Sequence, residues 1–491
     1  MLNHDTLSDL QAEYKVTATS ISESAITIQE YTSNCLSYLR SALPHEYYNN
    51  KWTPERKQKE RDLCILTFVN DHLVRVKGFI TEQDTVNDKA LARYLISVCN
   101  GEGILQDALD DSSIDEIQIN DQNTIYVVRH GVTELLRDTN GNPVRFADND
   151  AVEQVITRLT NDGTDHTQNF SMGAPIFNAK TAKKQYRISA VHSALNARDK
   201  SALTTPITTC VIRKFPDSKL TLNDLIKSNT ITPKIAKLLR LLGMVNMNLF
   251  FVGETGSGKT TLMQAVAQSI DHQDRVLCIQ NPTEITFFER DVLGTNARNV
   301  VHWEANDNLD GKVENKTAGT FKNLLNNALR FTPNVIILGE IRHDDEFGLA
   351  ATAGFMGHRL LATYHSDSSF GAVNRGAQAI AKDMHITLTD AKPQWGTVSN
   401  VVIAQKKYPD GSRKIKEITE IFVDSDGKIT YHTILRYVYK NVVKDENGKS
   451  RLEGEYVMEN PISERFQNLL LEAFVSREEF TEFTVKGDLY G

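Results

Sequence analysis

From Gly253 to Thr261 the chain reads GETGSGKTT, a run whose glycines, lysine and threonines fall where phosphate chemistry would use them. Glycines let consecutive backbone N–H groups curl inward around an anion, and a helix beginning just beyond adds its positive end. Lys259 is spaced to reach the β- and γ-phosphates of a nucleotide, and Thr260 to give its hydroxyl to Mg²⁺. The flanks agree: NLFFV before the run is an apolar strand, and LMQAVAQSI after it suits a helix. A glycine-rich turn that merely joins strand to helix is the bland alternative, but it leaves the filling of every fixed position unexplained. The expected nucleotide-binding set is Gly253, Glu254, Thr255, Gly256, Ser257, Gly258, Lys259, Thr260 and Thr261.

A second chemical feature lies in NVIILGEIRHDDE, Asn334 to Glu346. Four buried-type apolar residues end in Gly339 and Glu340, which places a carboxylate at the carboxyl end of a central strand, where open α/β sheets bind their ligands. There Glu340 would polarise an attacking water or reach Mg²⁺ through water; a solvated glutamate after a strand is the bland alternative. Gly339 stands where many nucleotide-binding proteins use an aspartate, so the metal is expected to rest on Thr260 and water.

Around these residues the pattern is that of a multidomain chain, because 491 residues exceed the ~250–300 at which one core stops growing. Ile28, Cys35, Leu39 and Leu43 predict one amphipathic helix, and Thr53-Pro54-Glu55 predicts the start of another carrying Leu63, Leu66, Val69 and Leu73. The mixed charges of PERKQKERD read as a solvated helix face. From about residue 100, IDEIQIN, TIYVVRHG, QYRISAV and TTCVIRKF read as strands beside a helical DAVEQVITRLT. PDSKLTLNDLIKSNT reads as a linker, and beyond it NLFFVG, RVLCIQ, NVIILG, RLLATY and NVVIAQ alternate with helices, which implies a parallel sheet covered on both faces.

Composition narrows the classes. A formal charge of −8 argues against a protein that coats nucleic acid. The five cysteines (Cys35, Cys64, Cys99, Cys210, Cys278) are odd in number and contain no Cys-x-x-Cys pair, which favours reduced thiols over a disulfide framework or a zinc site. No run of about 18 apolar residues occurs, so membrane association is expected through partners only.

Gly-Glu-Ile-Arg at 339–342, followed by GHRLLATYHSDS, resembles the secretion ATPases that drive type II secretion, type IV pili and type IV secretion. SIDEIQIN, VIRKF, LTLNDLI, NALRFTPNVIILGEIR and DGSRKIKEITEI are similar to the VirB11 branch, especially the CpaF-type ATPases of Tad pili. The likeness covers about residues 97 to 435. It implies an α/β fold: a RecA-like phosphate-loop motor domain with a mostly parallel sheet (229–491), preceded by a small α+β N-terminal domain (97–214), a linker (215–228) and a helical extension (1–96). It also implies ATP and Mg²⁺ as cofactors and a hexameric ring at the cytoplasmic face of the inner membrane. That ring would dock on an inner-membrane platform protein and make no direct contact with nucleic acid.

Carried over by position, Glu340 would be the catalytic carboxylate and His365 would sense the γ-phosphate. His358 matches the family's first histidine, and Arg187 and Arg213 would contact phosphates of ATP held within the ring. Without the resemblance, a lone histidine is more often structural and an arginine after a strand more often a surface ion pair. The family's second acidic motif, roughly Glu-Asp-x-x-Glu, is Gln280-Asn281-Pro282-Thr283-Glu284 here, so only Glu284 keeps its carboxylate. Amides orient water or a metal ligand but cannot take its proton. Two readings follow, a working ATPase or an ATP-binding structural or regulatory ring subunit with weak hydrolysis. A DNA-translocating motor on the same core is a third, without the cluster of basic and aromatic residues that would line its pore. No tetracysteine motif is present, and no structural zinc is expected.

Overall fold

The structure, a computed structural model, describes residues 25–44, 47, 52, 54–77, 79–81, 84–100, 103–129, 131–138, 141–146, 148–161, 170–180, 186–195, 207–214, 220–281, 285, 298–305, 319–444 and 450–490. They divide between two compact units, one of residues up to 129 with 133–214, the other of 215–491 with 130–132.

The first unit opens with α1 (Ile28–Ala42), α2 (Pro54–Asp71) and α3 (Asp88–Asn100). Thr27 caps α1 by accepting the Glu30 N–H, and the helical spacing brings Tyr31, Cys35 and Leu39 against Ile65, Phe68 and Leu91 in a separate small core. After α4 (Gln106–Asp110) come β1 (Ile114–Asp121), β2 (Thr124–Arg129), β3 (Val132–Leu135), α5 (Asn149–Asn161), β4 (Ile176–Lys180), β5 (Tyr186–Val191) and β6 (Thr209–Lys214). The sheet order is β3-β2-β1-β6-β5-β4, antiparallel from β2 to β4. Strand alternation points Ile117, Ile119, Ile188 and Ile212 into a core shared with Val152, Val155 and Ile156 of α5. The opposite face carries Glu116, Arg187 and Arg213, which stand in one row because both Glu116 and Arg187 are register partners of Arg213.

The second unit begins with α6 (Leu222–Lys227) and α7 (Pro233–Met244), followed by β7 (Leu249–Gly253), α8 (Lys259–Ala267), β8 (Val276–Gln280), β9 (Val300–Glu304), α9 (Phe321–Ala328), β10 (Val335–Leu338), α10 (Asp344–Phe355), β11 (Arg359–Tyr364), α11 (Ser369–Asp383) and α12 (Leu388–Val398). It closes with β12 (Val401–Lys407), β13 (Arg413–Val423), β14 (Ile429–Lys444), β15 (Ser450–Met458), α13 (Glu464–Glu472) and α14 (Arg477–Phe480). Part of the expected linker is α6, where Thr221 and Asp224 form a capping box and Leu225 is buried.

Nine strands form one sheet in the order β15-β14-β13-β12-β7-β11-β10-β8-β9. Pairing from β12 through β9 is parallel, and β13, β14 and β15 are added antiparallel. The central strands are buried on both faces, which is why they read as unbroken apolar runs: Leu249 and Phe251 enter one core, Phe250 and Val252 the other. Among the described residues no helix is long and apolar enough to cross a membrane. Parallel pairing fixes the site, because the loops after β7, β10 and β11 all leave the same edge of the sheet, and β11 separates the other two.

Candidate active site

The loop after β7 is shaped by what lies under it. A Cβ at Gly253 would lie 2.2 Å from the Gln405 carbonyl oxygen, and Gly258 has a φ of +94°, so neither position takes a side chain without displacing backbone. Gly258 starts α8 without a side-chain cap, leaving the helix's first-turn N–H groups directed at the loop's hollow. Lys259 is buried, and its Nζ donates to the carbonyls of Gly253 and Glu254 at 3.1 and 3.0 Å. Ser257 is fully buried and its Oγ has no partner among the described residues. This is an anion cradle with its lysine folded onto the loop, and its donors fit a triphosphate and the Thr260 hydroxyl a metal.

One strand away, Glu340 follows the end of β10 by two residues, within the turn of residues 339–343. Thr363 of β11 grips that turn twice, receiving the Ile341 N–H at 2.8 Å and donating its hydroxyl to the Gly339 carbonyl at 2.6 Å. Glu340 Oε1 lies 2.9 Å from His365 Nε2. Its Oε2 accepts from Arg342 Nε and Nη2 at 2.9 and 2.7 Å. Burial alone would raise the Glu340 carboxyl; the Arg342 guanidinium, helped by His365 and Lys259, outweighs it and holds the group below the ordinary glutamate value. The carboxylate is therefore charged at neutral pH. A cavity of about 630 Å³, lined by Asn281, Thr320, Lys322, Asn323 and Arg342 among others, opens beside it.

The position where a carboxylate is expected by resemblance has another task. Gln280 is 1% exposed, and its amide closes on one residue, donating Nε2–H to the Ile285 carbonyl at 2.9 Å and accepting the Ile285 N–H on Oε1 at 2.6 Å. An amide has both a donor and an acceptor for that pair, where an ionised carboxylate has acceptors only. The amide of Gln280 is thereby engaged with the backbone of Ile285. Asn281 does line the cavity beside Glu340. Glu284 lies outside the described residues.

One expected residue sits elsewhere in the second unit. His358 precedes β11 and His365 follows it, so one strand of six residues, roughly 20 Å long, separates them. His358 Nδ1 donates to the Pro333 carbonyl at 3.0 Å, at the opposite edge of the sheet from Glu340, and the structure does not bring it to the site. In the first unit Arg187 and Arg213 are brought together, as register partners on the sheet face opposite its core. Arg213 is held there by Glu116, whose Oε2 accepts from Nε at 3.0 Å and Nη2 at 2.8 Å.

Sequence reasoning missed the residues that brace the site. β13 contacts two of its loops: Arg413 Nε donates to the Gly256 carbonyl at 2.9 Å, Lys416 Nζ to the Asp367 carbonyl at 2.7 Å, and Glu417 Oε1 receives the Ser369 N–H at 2.7 Å. The signal was present only as polar residues alternating along DGSRKIKEITEI, with nothing local to say what they touch.

A family model described as type II/IV secretion system protein matches residues 99–433. A twitching motility protein of Neisseria gonorrhoeae is 32% identical over 167 residues, 34% of this chain and 39% of that protein. Type II secretion system protein E of Klebsiella pneumoniae is 32% identical over 124 residues, 25% of this chain and 21% of that protein. The chain thus spans well under half the length of either. Among solved structures, the VirB11 ATPase of the Brucella suis type IV secretion system is similar at 22% identity, covering 66% of this chain and 97% of that one with a TM-score of 0.32.

Proposed function

This chain belongs to the type II/IV secretion system protein family, and from that premise we propose that it hydrolyses ATP with Mg²⁺ and converts the hydrolysis into mechanical work for type IV pilus assembly or type II/IV secretion. The observation that carries the chemical part is the placement of the Glu340 carboxylate, charged and 2.9 Å from His365, on the sheet edge from which the phosphate loop also emerges. The names of the relatives, twitching motility and type II secretion, support the mechanical part.

In this reading the loop from Gly253 to Thr261 holds the phosphates, Lys259 exchanges its two carbonyl partners for phosphate oxygens, and Thr260 gives its hydroxyl to Mg²⁺. The bound metal supplies neutralisation of charge on the β- and γ-phosphates. Glu340 takes the proton of the attacking water, and His365, on the other side of that carboxylate, reports whether the γ-phosphate is present. Arg187 and Arg213 compensate charge on phosphates held within a ring of six copies, a role suited to a cation that stays charged. The ring would act at the cytoplasmic face of the inner membrane, docked on a platform protein. In domain terms, residues 97–214 would supply the arginines and 229–491 the motor.

The test is phosphate release by the full chain, wild type against Lys259→Ala and Glu340→Gln. Wild-type turnover no higher than that of Glu340→Gln would overturn the ATPase reading. A second reading, a regulatory ring subunit with weak hydrolysis, is favoured by one observation: Gln280 is committed to Ile285, so the first position of the second acidic motif adds no acid–base group beside Glu340. Tight ATP binding without turnover would select it.

A further inference from the structure

We propose that Glu346 is a positioning residue for Glu340, acting through the backbone of Arg342. Glu346 is only 5% exposed, an unusual place for a carboxylate, and no cation pairs with it among the described residues. Its Oε2 instead accepts two consecutive backbone N–H groups, from Arg342 at 2.6 Å and from His343 at 3.0 Å. As the third residue of α10 it closes a capping box with His343.

Two peptide groups pinned to one oxygen leave residue 342 little torsional freedom, and a side chain's direction follows its backbone. Arg342 is thereby aimed back at the residue two before it, where Nε and Nη2 both bond Glu340 Oε2. The turn of residues 339–343 is held at its start by Thr363 and at its end by Glu346. Glu340, between the two anchors, has its backbone fixed by one and its carboxylate by the other. Catalytic groups need placement to within about 0.5 Å, which a loop secures only through such outer bonds. The carboxylate does more than cap the first turn of α10, because the shorter of its two bonds goes to the Arg342 N–H, one residue beyond the N-cap.

The kinetic part of this inference rests on the ATPase reading; the structural part does not. In the full chain, Glu346→Ala should speed hydrogen exchange in the segment 340–346 and leave the phosphate-loop segment unchanged. The same variant should lower kcat by about 10- to 100-fold, the usual loss when an outer-shell partner is removed, with the Kd for a fluorescent ATP analogue unaltered. Glu346→Gln, which keeps an oxygen for both N–H groups, should restore both. Unchanged exchange in Glu346→Ala would overturn the proposal, as would a parallel loss of affinity and turnover that glutamine does not rescue. A wild type without turnover would remove the ATPase reading, and the exchange measurement would still decide whether Glu346 holds the turn.

Discussion

Gly339 and Gln280 are fitted to each other across β10 and β8: a Cβ at residue 339 would lie 3.0 Å from Gln280 Cγ and 3.3 Å from its Cβ. The glycine that stands in place of an aspartate thus fits its surroundings closely, since a side chain there would press on the neighbouring strand's glutamine, which would have to give by a few tenths of an ångström.

Gln280→Glu, which would restore the family's carboxylate, should destabilise the chain and leave turnover no higher. Glutamate can receive the Ile285 N–H but strands the Ile285 carbonyl against a second oxygen, a buried loss of about 1–3 kcal/mol. Urea unfolding of wild type and variant measures it; a rise in turnover with unchanged stability would contradict the assignment of Gln280 to the backbone.

Glu340→Gln should lower kcat by about 10²- to 10⁴-fold, the usual worth of a general base, with ATP still bound. His365→Ala should also lower kcat. His358→Ala should act on stability, by about 1 kcal/mol for the lost bond to Pro333, because that histidine is a strand's length from the carboxylate. Parallel kinetics and melting curves separate the two histidines.

Arg413→Met should weaken ATP binding by about tenfold, since the phosphate loop loses a charge-assisted bond to Gly256 worth roughly 1.5 kcal/mol. Equilibrium titration with a fluorescent ATP analogue reads the effect, and an unchanged Kd would show that the loop keeps its shape without this brace.

Burial lifts the Glu346 carboxyl above the ordinary glutamate value, with the Arg342 and His343 N–H groups offsetting only part of that. A carboxyl whose folded value is raised contributes stability fully below the unfolded value and loses it as pH rises through the folded one. At neutral pH the wild type therefore bears a burial cost that Glu346→Gln removes. The variant should be the more stable at about pH 8, with the difference shrinking as the pH falls toward about 4.3. Denaturant midpoints across that range check the sign.

Much of the fold was legible because its signals are local. The apolar runs ending in Gly253, Gln280 and Leu338 are strands buried on both faces, and the spacing of Cys35, Leu39 and Leu43 is a helix face. The phosphate loop and Glu340 were legible for the same reason. What could not be read depends on residues distant in sequence. Gln280 stands where the resemblance expects a carboxylate and is a backbone clasp in the structure, and His358 shares a motif with His365 yet emerges at the other end of the strand. The part of the expected linker that became α6 was hidden because LNDLIK is only six residues long and follows a polar, proline-bearing stretch, although Leu222, Leu225 and Ile226 pack on the core. β9 was missed because VVHWE, an edge strand, alternates less clearly than the strands it joins.

β13 touches the phosphate loop through Arg413 and the segment after His365 through Lys416 and Glu417, within five residues of one another. The cradle and the histidine's segment therefore rest on one strip of backbone, a shared footing under two loops that lie far apart in sequence. Its antiparallel neighbour β14, running on into a hairpin with β15, backs that strip from the other side.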